Sequence, residues 1–295
     1  MKYIGQLDSI RAIAVIMVII SHWIPKLNIL PWGEIGVDVF FVLSGFLITG
    51  ILLENKRLQN EGKLSRTSFV INFIVRRTLR IFPIYYLMIF IHFMVSEYTG
   101  TGLKENFIYY VTYTSNILFF KTGDMSGITS HFWSLAVEEQ FYLLWPWMIL
   151  FIRNENLINV MLIFIGIGVL FPLIVPGRSD ILTPACFSAF AIGAMLAYIK
   201  TQEINLQILN SRILNFLTLV SLIMLLIYPL LKVSISEYFP IRLLVSVISF
   251  RLISYCLYEN NISLLNSILN NRVLIFIGKI SYGIYIYHTI IPWLW

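Results

Sequence analysis

Ile10-Arg11-Ala12-Ile13-Ala14-Val15-Ile16-Met17-Val18-Ile19-Ile20-Ser21-His22-Trp23-Ile24 is the stretch that decides how this chain is read. Apart from Arg11, Ser21 and His22 it is apolar, and no glycine or proline interrupts it. That pattern predicts a helix crossing a bilayer. A charged or titratable side chain is costly there and marks function by default. At 3.6 residues per turn, the eleven-residue step from Arg11 to His22 is three turns plus about 20°. Both side chains therefore share one helix face, roughly 16 Å apart along the axis. The face carries a permanent cation near one side of the membrane and an imidazole near the other. Arg11 also lies close enough to the helix start to snorkel to the interface.

The rest of the chain extends this reading. Its 295 residues are 58% hydrophobic and 12% charged, with a mean hydropathy of +0.82. Apolar runs of about 17–23 residues recur along the whole length, which is bilayer-spanning length. They fall at 8–24, 36–53, 81–96, 107–120, 132–152, 157–175, 181–199, 213–231, 240–258 and 273–295. The expectation is an all-α, polytopic transmembrane bundle of about 10 spans forming a single domain, 1–295. A β-barrel would show short alternating segments instead. The fourth run is short and polar (Tyr110, Thr112 to Asn116), and reads as a full span or as a broken, re-entrant helix lining a cavity. Cys186 and Cys256 lie inside apolar runs, which points to buried thiols rather than a disulfide or metal site.

The net charge of +6 follows from loop arginines and lysines and does not suggest nucleic acid. Lys56, Arg57, Lys63, Arg66, Arg76, Arg77 and Arg80 fall between the second and third runs, whereas the loop before the second run holds only Lys26. The N-terminus is therefore expected in the cytoplasm of a plasma-membrane protein, with residues 25–35 outside. Asp8 and Arg11 leave no signal-peptide core, so the first helix is expected to stay as an anchor. Past residue 106 the rule discriminates little. If 107–120 crosses, Arg178, Lys232 and Arg242 fall on the inner side with Lys121, against Arg153, Lys200, Arg212 and Arg272 outside.

Four groups carry chemistry. His22 and Asp38 lie at similar depth on adjacent antiparallel helices, so the carboxylate is placed to orient the imidazole and raise its basicity. The alternative for Asp38 is an interfacial helix cap. Arg77 and Arg80, three apart at the end of an amphipathic stretch from Ser68, suit phosphate oxygens, although plain charge anchoring explains them as well. That stretch is expected to be a short cytoplasmic amphipathic helix, with Pro83 opening the next one. Trp133-Ser134 leads to Glu138 and Glu139. Ser134, Glu138 and Tyr142 share a face, while Glu139 points about 100° away. A hydroxyl-rich substrate and a structural ion pair, with Arg251 a candidate partner, account for the acids equally. The last group is Ser281, Tyr282, Tyr285 and His288 at the start of the final run. Ser44 faces about 120° from Asp38 and is a channel-lining candidate. His92 is given no role.

At these residues the chain resembles the acyltransferase-3 family of integral membrane O-acyltransferases. The resemblance rests on Arg11 and His22, on Gly36 to Gly45, on Arg77 and Arg80, on Trp133 to Tyr142, and on Ile280 to His288. It implies transfer of an acyl group, commonly acetyl from cytoplasmic acetyl-CoA, to a hydroxyl of an extracytoplasmic glycan. No cofactor is bound permanently, and acyl-CoA is the donor substrate. His22 takes the place of the essential catalytic residue, and Arg11, Arg77 and Arg80 the places of residues that handle acyl-CoA. Family members usually continue past the terminal Tyr-x-x-His helix, so the resemblance implies a chain stopping short at Trp295, without the esterase-like domain some members carry. The rival class is a transporter or flippase for a polar or glycan-linked substrate, because intramembrane charges and broken helices occur there as well. A purely structural partner of a glycan synthase is the third reading, and it should tolerate loss of His22.

Overall fold

The computed structural model describes residues 3–100, 102–125, 127–204, 212–231, 241–258 and 263–291, and every element among them is helical. α1 (Gly5–Trp23) is stopped by Pro25, and α2 (Trp32–Asn60) follows a short 3-10 turn. Next come α3 (Arg66–Thr99), α4 (Phe107–Val111), α5 (Ser115–Thr122), α6 (Phe132–Phe151), α7 (Asn154–Ile174) and α8 (Thr183–Thr201). α9 (Arg212–Ile227), α10 (Ile241–Tyr258), α11 (Ser263–Leu269), α12 (Arg272–Lys279) and α13 (Ser281–Tyr287) complete the chain. Among the described residues, seven helices are long and apolar enough to cross a membrane: α1, α2, α3, α7, α8, α10 and the stretch Arg212–Leu230 that begins with α9. The chain is a multi-pass membrane protein.

The ten expected runs differ from these seven at three places. The run 107–120 breaks at Thr112–Thr114, where Tyr113 takes a left-handed φ of 54°. The two short helices fold back on each other, and the Lys121 ammonium sits 5.7 Å over the Tyr109 ring. The run 132–152 is helical, but Glu138, Glu139 and Gln140 dilute its apolarity. It traverses the bundle nonetheless: Ser134 bonds the Tyr285 hydroxyl at one end, and at the other the Ile152 carbonyl accepts from Lys56 on α2. The run 273–295 breaks at Ile280 into α12 and α13, and 292–295 lie outside the described residues. Those two half-helices retrace α1, because Gly278 lies against Asp8 and His288 against His22.

A correction concerns 68–80. No separate amphipathic helix forms there. Ser65 caps α3 by accepting from the Ser68 amide at 3.0 Å, and the helix continues through Pro83 for 34 residues. Pro83 lies inside α3 rather than opening a new helix. The broken 107–120 run also bears on the back half, whose topology the charge rule left open. Since α4 and α5 fold back, Arg178 and Arg242 line the same cavity as His22, at the end of the bundle opposite Arg11. Lys232 lies outside the described residues.

Close backbone approaches hold the central helices. A Cβ on Gly45 of α2 would overlap the Phe190 carbonyl of α8, and one on Gly193 of α8 would overlap the Val42 carbonyl of α2. Reciprocal small residues of this kind let membrane helices pack backbone to backbone. Gly278 does the same for α12 against the Asp8 backbone of α1. Between them, Phe141 stacks on Phe190 at 4.1 Å and the buried Trp145 donates its indole N–H to Thr49 at 2.7 Å. The indole is buried with its one donor satisfied, so it contributes area without an unpaired polar atom.

Candidate active site

Two cavities lie end to end inside the bundle. The first, about 670 Å³ including its open mouth, is bounded by α1, α2, α3, α6 and α13. Arg11, Arg77 and Arg80 supply three guanidinium groups to it. Arg11 is paired with Asp8 at 2.9 Å. Among the described residues neither Arg77 nor Arg80 has an ion-pair partner within 4.0 Å. The Arg77 guanidinium instead lies over two rings, 5.5 Å from Tyr142 and 5.8 Å from Phe73. Glu138 is the acid in this cavity, and it accepts from Ser44 Oγ at 2.9 Å. Ser44 also meets the Tyr142 hydroxyl at 3.1 Å. Three cations against Glu138 and the Arg11-bound Asp8 leave an excess of positive charge. The cavity thus suits an anion with several oxygens, which planar guanidinium groups grip at two points.

The second cavity, about 700 Å³ on the same measure, is lined by His22, His131, Glu34, Arg178, Asp180 and Arg242 among others. Two cations and two carboxylates line it, and Asp38 behind Arg242 adds a third carboxylate, so it offers donors and acceptors without the positive excess of the first cavity. That is the environment a neutral, hydroxyl-rich molecule fits. Val37 and Tyr285 line both cavities. The Tyr285 hydroxyl is held between Ser134 Oγ and the His131 carbonyl, the latter at 3.3 Å. Tyr285 and Val37 are therefore common to the wall of a basic chamber and that of a histidine chamber.

The sequence-predicted residues divide among these places. Arg11, Arg77, Arg80, Ser44, Ser134, Glu138, Tyr142, Ser281 and Tyr282 line the basic cavity. His22 and Trp133 line the histidine cavity. His288 lies behind His22, ring to ring, with centroids 4.8 Å apart. Asp38 is a correction. It is 2% exposed and bonds Arg242 at 2.7 Å, not His22. Arg242 also donates to the Asp180 carbonyl at 2.9 Å. A guanidinium on α10 reaches the carboxylate because α10 packs against α2, and a buried carboxylate beside a cation takes that cation before an imidazole. Glu139 is the second correction. It lines neither cavity, and its buried Oε1 has no bonded partner. Arg251 is the third: its Nε donates to Asn215 at 2.9 Å, not to either glutamate. Among the described residues no group of three or more His, Cys, Asp or Glu is arranged to hold a metal ion.

The residues that line the two cavities run from Arg11 to Tyr285. A family model described as an acyltransferase domain matches residues 4–295. The chain belongs to the acyltransferase-3 family. As an acyltransferase-3 protein it is 31% identical to the peptidoglycan O-acetyltransferase OatA of Listeria monocytogenes, over 97% of this chain and 49% of that protein. It is 32% identical to the "Putative peptidoglycan O-acetyltransferase YrhL" of Bacillus subtilis, over 97% of this chain and 48% of that protein. The chain spans about half the length of these curated relatives. No solved structure matches it.

Sequence reasoning gave no role to His131, Arg178, Asp180 and Arg242, all of which line the histidine cavity of this acyltransferase-3 chain. His131 stood at the head of the Trp133–Tyr142 group and could have been found there. Arg178 and Arg242 were read only as topogenic charges, and Asp180 was given no reading. Their place beside His22 depends on α4 and α5 folding back, which charge counting leaves open.

Proposed function

We propose that this chain moves an acyl group, acetyl in the first instance, from cytoplasmic acyl-CoA to a hydroxyl of an extracytoplasmic glycan. The observation that carries the reading is the back-to-back pair of cavities, three arginines in one and His22 in the other, with Tyr285 and Val37 common to both. Arg11, Arg77 and Arg80 take the phosphates of CoA. The basic cavity is then the cytoplasmic one, in agreement with the seven cations between residues 56 and 80 and a cytoplasmic N-terminus. The pantetheine arm is thin and long, and it brings the thioester past Ser44, Glu138 and Tyr142 toward Tyr285. His22 works from the other side as general base. It takes the proton of the sugar hydroxyl, the hydroxyl oxygen attacks the thioester carbonyl, the C–S bond breaks, and CoA leaves as thiolate to be protonated. The same histidine can instead accept the acyl group first and pass it on. The names of the relatives extend the proposal to peptidoglycan as the acceptor, with the cell membrane as the site of action.

The experiment is a reconstitution. Purified protein in liposomes is given acetyl-CoA on the arginine side and a soluble muropeptide on the other. Free CoA is released and acetylated muropeptide appears in equal amounts if the reading is right. His22→Ala should stop both while leaving expression and insertion intact. Acceptor crossing the membrane without CoA release would identify a transporter instead. Full acetylation by His22→Ala would remove the histidine from the mechanism.

A further inference from the structure

We infer that His288 is the positioning residue for His22: its ring presents a lone pair to the Nδ1–H of His22. The inference rests on the reading of His22 as the base in the proposed function. It begins with what each atom is able to do. His22 Nδ1 lies 3.0 Å from the Val18 carbonyl oxygen. A carbonyl only accepts, so Nδ1 carries the hydrogen. The same nitrogen is 3.2 Å from His288 Nε2. With a hydrogen already on His22 Nδ1, His288 Nε2 is the bare, accepting nitrogen, and the one hydrogen is shared between it and the Val18 oxygen. The proton of His288 is then on Nδ1, and that atom lies 2.5 Å from the Tyr285 carbonyl, again a group that only accepts. Each tautomer is thus set by a backbone oxygen, and the two assignments agree where the rings meet.

The His288 ring cannot easily turn out of this position. It is 1% exposed, and its own carbonyl accepts the Trp23 indole N–H at 2.7 Å. The His131 ring closes the other side, 5.1 Å from His288, with Nδ1 3.4 Å from Thr289 Oγ1. Asp38, the obvious carboxylate partner for a catalytic histidine, is occupied by Arg242. A neutral imidazole therefore fills the place that an aspartate takes beside the histidine of a Ser-His-Asp triad. With Nδ1 committed to Val18 and His288, Nε2 is the nitrogen of His22 left with a free lone pair, and it is the atom that takes the hydroxyl proton. As it does so the ring becomes imidazolium, and the Nδ1–H bond to His288 strengthens. His288 also ties the base to the common wall, because the carbonyl that fixes it belongs to Tyr285, a residue shared by both cavities.

The test compares His288→Leu with His288→Gln, whose side-chain amide oxygen restores an acceptor near the position of Nε2. In the reconstituted assay, His288→Leu should lower kcat about ten- to a hundredfold, the range of a hydrogen bond to a charged group, and leave the KM for acetyl-CoA unchanged. His288→Gln should recover most of the loss. Nitrogen-15 spectra of the histidine-labelled protein, assigned with the two variants and His22→Gln, should show both rings protonated at Nδ1. His288→Leu turning over at the wild-type kcat would overturn the inference, and so would a His288 ring protonated at Nε2. Equal losses in both variants with a raised KM for acetyl-CoA would reduce His288 to a filler of space. A wild-type protein that releases no CoA would sink the proposed transfer, and the spectra would still decide the place of His288.

Discussion

Replacing Asp38 by Asn separates the structural reading of this carboxylate from the catalytic one. Asp38 and Arg242 form a pair whose side chains are 3% and 17% exposed, with a 2.7 Å contact. Removing one partner of a buried ion pair costs about 3–5 kcal/mol, mostly because the other charge is left buried. Arg242 keeps its bond to the Asp180 carbonyl, so the lower end, about 3 kcal/mol, is the expectation for Asp38→Asn. A kcal/mol is worth roughly 2–4 °C in a chain of this general size, which gives a fall in Tm on the order of 6–12 °C. Replacing both partners together, Asp38→Leu with Arg242→Met, should recover most of the loss, since an apolar pair of similar volume is about neutral. The assay is tryptophan fluorescence on heating in detergent, with turnover measured well below the transition. If Asp38→Asn melts with the wild type yet turns over at a small fraction of its rate, the carboxylate acts on the chemistry. The pairing with Arg242 would then be the wrong account of its role.

Arg77→Ala and Arg80→Ala should each raise the half-saturating acetyl-CoA concentration about ten- to a hundredfold, the range for losing a charge-assisted hydrogen bond. Lysine at either position should rescue only part of this, because it keeps the charge and loses the planar fork, and a donor titration with unchanged half-saturation in all four variants would leave charge anchoring as their role. Gly193→Val should abolish recovery of folded protein, since any Cβ there overlaps the Val42 backbone, whereas Gly166→Ala in α7 meets nothing within 4 Å and should leave yield and Tm as they are or slightly raise Tm. Size-exclusion profiles of the detergent extracts check both.

How much of this was legible in the chain depends on the range of the signal. Arg11 and His22 share one helix, and helical spacing by itself sets their common face and separation. The seven long apolar runs were readable because a bilayer imposes length and apolarity on any helix that crosses it. Glu138 and Glu139 could be told apart by angle alone, and one of them lines a cavity while the other does not. The family motifs were likewise present in the residues themselves, and the family match covers residues 4–295. Local sequence could not foretell that Tyr113 takes a left-handed backbone and turns an apparent span back on itself. Nor could it show that the last run breaks at Ile280. Both breaks reflect competition between local apolarity and contacts made elsewhere: the hydroxyls of Tyr85 and Tyr86 on the Tyr110 and Val111 carbonyls, and the Gly278 backbone against α1. The partner of Asp38 is the plainest case. Two hundred and four positions separate it from Arg242, and depth in the bilayer offered His22 as an equally good neighbour. Only the packing of α10 on α2 brings the guanidinium within reach. Once it has, the cost of burying an unpaired charge decides the pairing, and the imidazole of His22 is left to His288.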